Sequence, residues 1–169
     1  FYIYCIFHDL ICFTVTAVII VAAVYVSFHK LFTKKIKNYI QSIPEPKQRE
    51  ILSLHKNILQ WLPHVKLWFL DGKNSDQKTV SNPNIGYGSY NIQYADGSKK
   101  EFYQIGLSAN STGISVYIMG ILDKNYLPKT YSDKIGKASI TGYCIKFKKI
   151  ADINMDILKA IIKERTKIQ

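Results

Sequence analysis

Two glycines around one tyrosine, Gly86-Tyr87-Gly88, are the first feature of the sequence that could do chemistry, because glycine-rich loops cradle phosphate groups. A phosphate cradle uses a longer glycine pattern that opens a helix, so that backbone amides point at the anion. Here the glycines precede the alternating segment 88–94, which predicts a β-strand. We therefore interpret the glycines as a bulge or kink at the start of a strand. Tyr87 and Tyr90 would then form walls of a neighbouring cleft.

Cys144 is a second candidate, since a thiol becomes a nucleophile when a neighbouring positive charge lowers its pKa. It lies in the alternating segment "YCIKFK", and neither His55 nor His64 has the spacing of a cysteine-histidine pair. We interpret Cys144 as an inert core thiol, and an enzyme that uses it is an alternative hypothesis. The other two cysteines, Cys5 and Cys12, add neither a disulfide framework nor a zinc pattern. This usage is typical of a reduced, cytosolic domain.

The chain is strongly basic, with a formal net charge of +11 at pH 7. All 23 lysines and arginines lie at or after Lys30, together with 11 of the 12 acidic residues, the exception being Asp9. The part from Lys30 onward therefore carries 23 minus 11, or +12. Such a charge attracts anionic partners and repels free cations at long range.

Two basic segments indicate which anionic partners these could be. "KKIK", just after the apolar run, is a natural contact for phospholipid headgroups. "KFKKI" (146–150), with Lys134, Lys137 and Tyr143, could form a nucleic-acid patch with aromatic stacking. The sequence contains no recognisable nucleic-acid-binding motif, so a lysine-rich solvated surface is the simpler interpretation. Binding of nucleic acid or of an anionic membrane stays an alternative.

Residues 1–29 form a separate apolar segment. The run 10–28 has no charged residue, and roughly 20 apolar residues at about 1.5 Å each cross a bilayer core. "HKLFTKKIK" follows, so the positive-inside bias predicts a transmembrane helix with the rest of the chain, 34–169, in the cytoplasm. A mis-called start is the alternative, because the chain begins at Phe1 and its Phe/Tyr/Ile/Cys-rich text is typical of translated non-coding DNA. A signal peptide fits less well, since no basic segment precedes the run.

Apolar residues at helical spacing predict three helices, at 34–43, 45–61 and the C-terminus. The positions expected to be buried are Ile36, Tyr39, Ile40 and Ile43 in the first, Ile51, Leu54, Ile58, Trp61 and Leu62 in the second, and Ile157, Leu158, Ile161 and Ile162 in the last. Ser42 is expected to cap the second helix, and Asp152 or Asn154 the last. Segment 123–134 predicts a further helix that Pro128 limits in length.

Between the helices, alternating segments predict β-strands. The segment "VKLWFL" (65–70) is a candidate strand, and a polar loop follows it. Strands 88–94, 102–108 and 114–119 follow, joined by the turns "ADGS" and "ANSTG", and 143–148 is expected to be a fourth meander strand. This order predicts an α+β fold in which an antiparallel meander sheet packs with helices from both ends of the domain as a two-layer sandwich, plus an N-terminal apolar helix.

Five phrases, in this order, resemble the YdhG-like family, a widespread domain of unknown function. They are "YIQSIPEPKQREILSLHKNI", "IGYGSY", "LSANSTGISVYIM", "YLPKTYSDKIGKASI" and "CIKFKKIADINMDIL", and the match covers about 34–167. The resemblance implies an α+β sandwich likened to frataxin. A bacterial relative has been proposed as an intracellular iron chaperone for cluster and haem synthesis, so the resemblance also implies iron as a cargo.

The chain departs from the family pattern at two places. Where the branch typically reads Y-H-Y-K-Y-A-S-G-R-E-G-D-W, this chain has "YNIQYADGSKKEF", with Asn91 at the usual histidine position and Ile92 at the next aromatic position. Where the branch typically reads K-A-S-I-G-K-S-C, this chain has "KASITGYC", so Gly142 and Tyr143 replace a lysine-serine pair while Cys144 is retained. A ligand that the family binds through those side chains is therefore not expected to bind this chain in the same way.

Iron binding in the frataxin manner uses clustered carboxylates, because hard cations prefer oxygen ligands. The resemblance therefore implies Glu45 and Glu50, on the first domain helix, and Asp152 and Asp156, near the last one, as metal ligands. Neither pair makes a dense acidic ridge, and lysines stand beside both. The charge of the chain favours ordinary solvated helix faces and caps instead. No cofactor other than iron is expected.

The sequence as a whole favours a non-enzymatic binding or carrier module whose ligand or partner protein is unknown. We expect its pocket between the strand start at Tyr87 and Tyr90 and the segment 137–144. There Lys137 and Tyr143 would orient an anionic or polar ligand, with Cys144 beside them.

Overall fold

The computed structural model describes residues 31–167 as an α+β fold with an antiparallel sheet and four helices, which confirms the predicted class. The helices are α1 (31–42), α2 (Lys47–Trp61), α3 (Tyr126–Tyr131) and α4 (Met155–Lys167), with one 3₁₀ turn at Ile150–Asp152. The strands are β1 (Leu67–Leu70), β2 (Asn84–Tyr87), β3 (Tyr90–Gln93), β4 (Lys99–Phe102), β5 (Ile105–Asn110), β6 (Gly113–Ile118), β7 (Ser139–Ile140) and β8 (Cys144–Phe147).

The main sheet has six strands in the order β1-β2-β5-β6-β8-β7, and every neighbouring pair is antiparallel. Successive side chains of a strand point to opposite faces, so the register assigns each residue to a face. One face is the inner face, whose fully or nearly fully buried residues are Ile85, Tyr87, Ile105, Leu107, Ile114, Val116, Ile118, Ile145 and Phe147. Burying one such isoleucine contributes about 1.5–3 kcal/mol to folding.

The helices contribute their apolar sides to the same buried cluster as the inner face of the sheet. Most of the predicted helix positions are buried, namely Ile36, Tyr39, Ile40, Ile43, Ile51, Leu54, Ile58, Leu158, Ile161 and Ile162, while Trp61, Leu62 and Ile157 are half-buried against the cluster. Periodicity of 3.6 residues therefore predicted the packing faces correctly.

The ends of two elements differ from the prediction, and one predicted cap is confirmed. Ser42 donates its hydroxyl to the carbonyl oxygen of Tyr39 (2.7 Å), in the last turn of α1, and does not cap α2. Helix α3 is shorter than the predicted 123–134 segment. Asn154 is the cap of α4, because its Oδ1 accepts from the backbone amides of Asp156 (3.0 Å) and Ile157 (3.3 Å).

The predicted meander is interrupted between Tyr87 and Ile105, which face each other in the β2–β5 ladder. The segment between them forms a separate two-stranded hairpin, β3–β4, whose turn is the predicted Asp96-Gly97. The predicted strands 88–94 and 102–108 were therefore wrong in extent. Gly88 has a positive φ of 70°, which ends β2 and lets the chain leave the main sheet.

The apolar segment 1–29 lies outside the described residues, so the expected transmembrane helix stays a prediction. Within residues 31–167, none of the helices has the length and apolar character that crossing a membrane requires.

Candidate functional site

An open groove of about 1090 Å³ lies between the hairpin strand β3, the loop after β6, helix α3 and the end of helix α4. Its walls are mainly apolar and are formed by Ile92, Ile118, Ile121, Leu122, Leu127 and Ile161. Three tyrosines, Tyr90, Tyr126 and Tyr131, also line the groove. Grooves with apolar and aromatic walls and a few placed polar groups are the usual form of a small-ligand site.

Two anchors set the positions of the groove side chains. Leu127 is buried at the centre of the short helix α3, which holds Tyr126 and Tyr131 beside the groove. Ile161 is buried on α4, and residues three and four positions later share its side of a helix. Those residues are Glu164 and Arg165, so the core face of α4 continues into the groove wall.

Glu164 joins α4 to α3 through two phenol groups. Its Oε1 accepts from the hydroxyl of Tyr126 and its Oε2 from the hydroxyl of Tyr131, both at 2.5 Å. The two donated hydrogen bonds lower the pKa of Glu164 below its ordinary value. The bond to Glu164 raises the pKa of Tyr126, and burial followed by the same bond raises that of Tyr131. At neutral pH the carboxylate is therefore charged and both phenols are protonated.

Arg165 is held rigidly at the edge of the groove by backbone carbonyl groups. Its Nε donates to the oxygen of Met119 (2.8 Å) and one Nη to the oxygen of Gly120 (2.6 Å). The salt bridges among the described residues join Arg49 to Glu45 and Lys66 to Glu101, and neither includes Arg165. A guanidinium has five N–H donors, and the side-chain bonds that Arg165 makes within residues 31–167 use two of them.

Gly120 is required where Arg165 and Tyr90 meet. Its φ is +73°, and a Cβ added there would lie 3.1 Å from a ring carbon of Tyr90. Burial raises the pKa of Tyr90, and the nearby charge of Arg165 opposes that rise. The ring of Tyr90 and the guanidinium therefore form one continuous part of the wall.

The groove has features suited to binding. The carboxylate of Glu164 is kept charged and the phenols of Tyr126 and Tyr131 are kept protonated at neutral pH, and Asp123 also lines the groove. A general acid or base works best when its pKa is near the working pH, and the pKa values of Glu164, Tyr126 and Tyr131 are shifted away from it. The fixed guanidinium beside apolar and aromatic walls suits an acidic molecule with an apolar body.

The structure separates the ligand-binding residues predicted from the sequence. Tyr90 lines the groove, whereas Tyr87 is fully buried, with its hydroxyl 2.7 Å from Nδ1 of His55. Burial raises the pKa of Tyr87 well above its ordinary value and lowers that of His55. The expected cleft wall at Tyr87 is thus a core position. Gly86 lies within β2 and Gly88 lies between β2 and β3, so the predicted kink at a strand start falls at the end of one strand and before the next.

Lys137, Tyr143 and Cys144 lie at the β7–β8 side of the sheet and not among the residues that line the groove. The Tyr143 ring stacks on that of Tyr117, with centroids 6.5 Å apart and planes 22° apart. Cys144 is half-buried, and burial raises the pKa of its thiol. Of the predicted residues, the groove therefore contains Tyr90, while Tyr103 of the sheet lies near both Tyr90 and Cys144. A ligand pocket between Tyr90 and segment 137–144 stays a prediction.

The four predicted metal ligands mostly serve local structure. Glu45 pairs with Arg49 at 2.8 Å, and Glu50 accepts from the backbone amide of Ile150 at 2.5 Å. Asp152 accepts from the amide of Lys149 at 3.2 Å, and Asp156 lies in the first turn of α4. Across residues 31–167, no three His, Cys, Asp or Glu side chains come together in a group that could hold a metal ion.

The groove residues Tyr126, Tyr131, Glu164 and Arg165 were missed by the sequence analysis. "KERTK" at the end of a helix is typical of a solvated, charged surface. The two tyrosines of "YLPKTY" are five residues apart, which does not predict a shared helix face, so no local pattern marked the site.

Comparisons with models of protein families, with curated proteins and with solved structures found no significant match to this chain.

Proposed function

We propose that this chain is a non-catalytic binding module whose groove takes a small molecule with an apolar or aromatic body and an acidic group. The observation that carries the proposal is Arg165, a guanidinium fixed by two carbonyl oxygens at the edge of the groove. An arginine that is already oriented loses little freedom when it binds a carboxylate or phosphate.

The charge of the molecule favours an anionic ligand. From Lys30 onward the chain carries +12, which raises the local concentration of anions and steers them to the surface. Glu164 is the nearest negative group on the same helix, but each of its oxygens already accepts a tyrosine hydroxyl. Its charge is therefore partly neutralised where the ligand would approach Arg165.

The proposal includes three further points. The chain is a member of the YdhG-like family, its sheet and helices pack as two layers, and the domain lies in the cytoplasm. Support for the layers comes from the one buried cluster that joins the helices to the inner face. Support for the cytoplasm comes from the lysines that follow the apolar run. Support for a non-catalytic groove comes from Glu164, Tyr126 and Tyr131, whose carboxylate and hydroxyl groups bond to one another.

Iron, the cargo that the resemblance implies, does not fit the residues present. Glu50 and Asp152 each accept a backbone hydrogen bond, and Glu45 is paired with an arginine. A hard cation needs several free oxygen ligands converging on one point. We therefore derive no role in iron delivery for these carboxylates.

The test uses the full chain and a matched pair of probes, naphthalene-1-acetate and its neutral amide, in equilibrium dialysis. The acid is expected to bind more tightly than the amide, because only the acid pairs with Arg165. Replacing Arg165→Gln should weaken binding of the acid at least tenfold, which corresponds to the loss of one charged hydrogen-bond partner, about 1.5–3 kcal/mol. The amide should bind the variant and the native chain with similar affinity.

The control is Arg49→Gln, which removes the other arginine of the chain, on the exposed side of α2. It lowers the net charge equally and should leave the affinity unchanged. A thermal melt of both variants checks that they are folded. Equal weakening by the two substitutions, or equal binding of acid and amide, would contradict the proposal.

A further inference from the structure

The face of the sheet opposite the core presents a row of aromatic and small residues. The register aligns Trp68, Gly86, Gly106, Tyr117 and Cys144 side by side across β1, β2, β5, β6 and β8. Their neighbours along each strand are the buried inner residues, so this row points away from the core. We call this row, with Tyr103 and Tyr143, the outer sheet face.

The side chain of Tyr103 packs against the two glycines of the row, Gly86 and Gly106. A Cβ added to Gly86 would lie 2.5 Å from the Cβ of Tyr103, and one added to Gly106 would lie 2.7 Å from its ring carbon Cε2. Tyr103 therefore lies flat across both glycines, next to Trp68 and Tyr117. Burial raises its pKa to about 12, so its hydroxyl stays protonated. The result is a buried aromatic floor, since Tyr103 is only 6% exposed, and the more exposed rings lie beside it.

Exposed rings lie at both sides of this floor. Tyr143 is 53% exposed and stacks on Tyr117, which is half-buried. Trp68, also half-buried, lies on β1, three strands away from Tyr117 and so roughly 14 Å from it. The ammonium group of Lys66 lies 4.4 Å from the centroid of the Trp68 ring.

The strands of the main sheet carry positive charge and no negative charge. The six strands of the main sheet contain no aspartate or glutamate, and Lys146 on β8 shares the outward direction of Cys144. Lys137 and Lys148 flank β7 and β8 at positions that alternate with the inward Ala138 and Phe147, and both are exposed. Glu101 of the hairpin pairs with Lys66 at 2.8 Å.

We infer that the outer sheet face binds a single-stranded nucleic acid, with bases stacking on Tyr143 and Tyr117 and phosphates contacting Lys146 and its flanking lysines. The exposed ring of Tyr143 and the half-buried ring of Tyr117 can stack with unpaired bases but not with bases stacked within a duplex. Stacking is tolerant of sequence, because every base has a flat π-face. Lysines around the rings supply the charge that holds the backbone. The absence of acidic residues in the sheet removes the repulsion such a strand would otherwise meet.

The test is fluorescence anisotropy of the full chain with labelled oligouridylate and oligothymidylate of about 12 nucleotides. Binding should be at least tenfold weaker to a duplex of the same length. Tyr143→Ala should weaken single-strand binding about tenfold, because it removes one stacking platform. Lys146→Gln should lower the slope of log affinity against log salt by about 0.7.

Matched controls separate this surface from general basic charge. Tyr94→Ala removes a tyrosine of similar exposure (46%) on the β3–β4 hairpin, and Lys56→Gln removes an exposed lysine on α2. Both should bind like the native chain. The inference is overturned if the controls weaken binding as much as Tyr143→Ala and Lys146→Gln, or if duplex binds equally well. It is also overturned if vesicles of phosphatidylserine, and not oligonucleotides, show the dependence on Tyr143.

Discussion

The groove and the outer sheet face use tyrosine in opposite ways. In the groove, the hydroxyl groups of Tyr126 and Tyr131 donate hydrogen bonds to Glu164, which connects helix α3 to helix α4. On the sheet, the rings of Tyr117 and Tyr143 lie 22° from parallel with centroids 6.5 Å apart, and the ring of Tyr143 is exposed. A tyrosine has a large apolar body and one polar tip, and the neighbours decide which part is available to a ligand.

The largest loss of stability is expected from a substitution that displaces the rings of the aromatic floor. Gly86→Ala would place a methyl group 2.5 Å from Tyr103 Cβ and 2.9 Å from Trp68 Cβ, so both rings must shift. Overpacking of this kind costs about 1–3 kcal/mol in free energy of unfolding, measured by urea denaturation. The floor would also lose its flat geometry, which should reduce oligonucleotide binding.

Gly97→Ala is the control for this substitution. Gly97 has a φ of +84°, and a Cβ there meets nothing within 4 Å. The substitution Gly97→Ala introduces backbone strain without a steric clash. This strain is expected to lower the free energy of unfolding by about 1 kcal/mol. If Gly97→Ala destabilises the chain while Gly86→Ala does not, Tyr103 does not occupy the position that the aromatic floor requires.

A smaller effect is expected from Glu164→Gln, which tests the hydroxyl-based contacts of the groove. The pKa of Glu164 is lower in the folded than in the unfolded chain, so the unfolded chain binds more protons in acid. The contribution of Glu164 is therefore present above its unfolded pKa and lost as the pH falls through the folded value. Glu164→Gln should reduce the free energy of unfolding at neutral pH by about 1 kcal/mol.

The matched measurement is the pH dependence of unfolding in acid. Between neutral pH and the folded pKa of Glu164, the variant should lose less stability than the native chain. Parallel curves for the two proteins would mean that Glu164 is not held by the phenols of Tyr126 and Tyr131.

The smallest effect concerns Cys144, which lies on the outer sheet face. Burial raises the pKa of its thiol, so little thiolate exists at neutral pH. Iodoacetamide should modify Cys144 more slowly than it modifies glutathione, followed by mass spectrometry of the peptide that contains it. Faster modification than glutathione would favour the alternative of an enzyme that uses Cys144.

Helix faces were predictable from the sequence and the groove was not, for one physical reason. The burial of Ile51, Leu54 and Ile58 can be predicted from their spacing alone, because helix geometry determines which residues share a side. Arg165 becomes a site residue because the chain 45 and 46 positions earlier supplies the carbonyl oxygens of Gly120 and Met119. No local pattern contains that information.

The strands, too, could be predicted only in part from the sequence. Alternation predicted that β6 and β8 would be strands, and they pair as neighbours. It did not predict that Tyr87 would lie in the core while Tyr90 lines the groove, because Gly88 turns the chain between them. A left-handed glycine changes the face to which the following residues belong.

The most direct test of two separate sites is a pair of titrations followed by amide NMR of the full chain. Naphthalene-1-acetate is expected to shift the amides of Tyr90, Gly120 and Arg165, and oligouridylate those of Tyr117 and Cys144. Each ligand should leave the other set unchanged. If both ligands shift the same residues, or if the acid shifts β8 and not the end of α4, the division of the molecule into a groove for small acids and a sheet for nucleic acid is wrong.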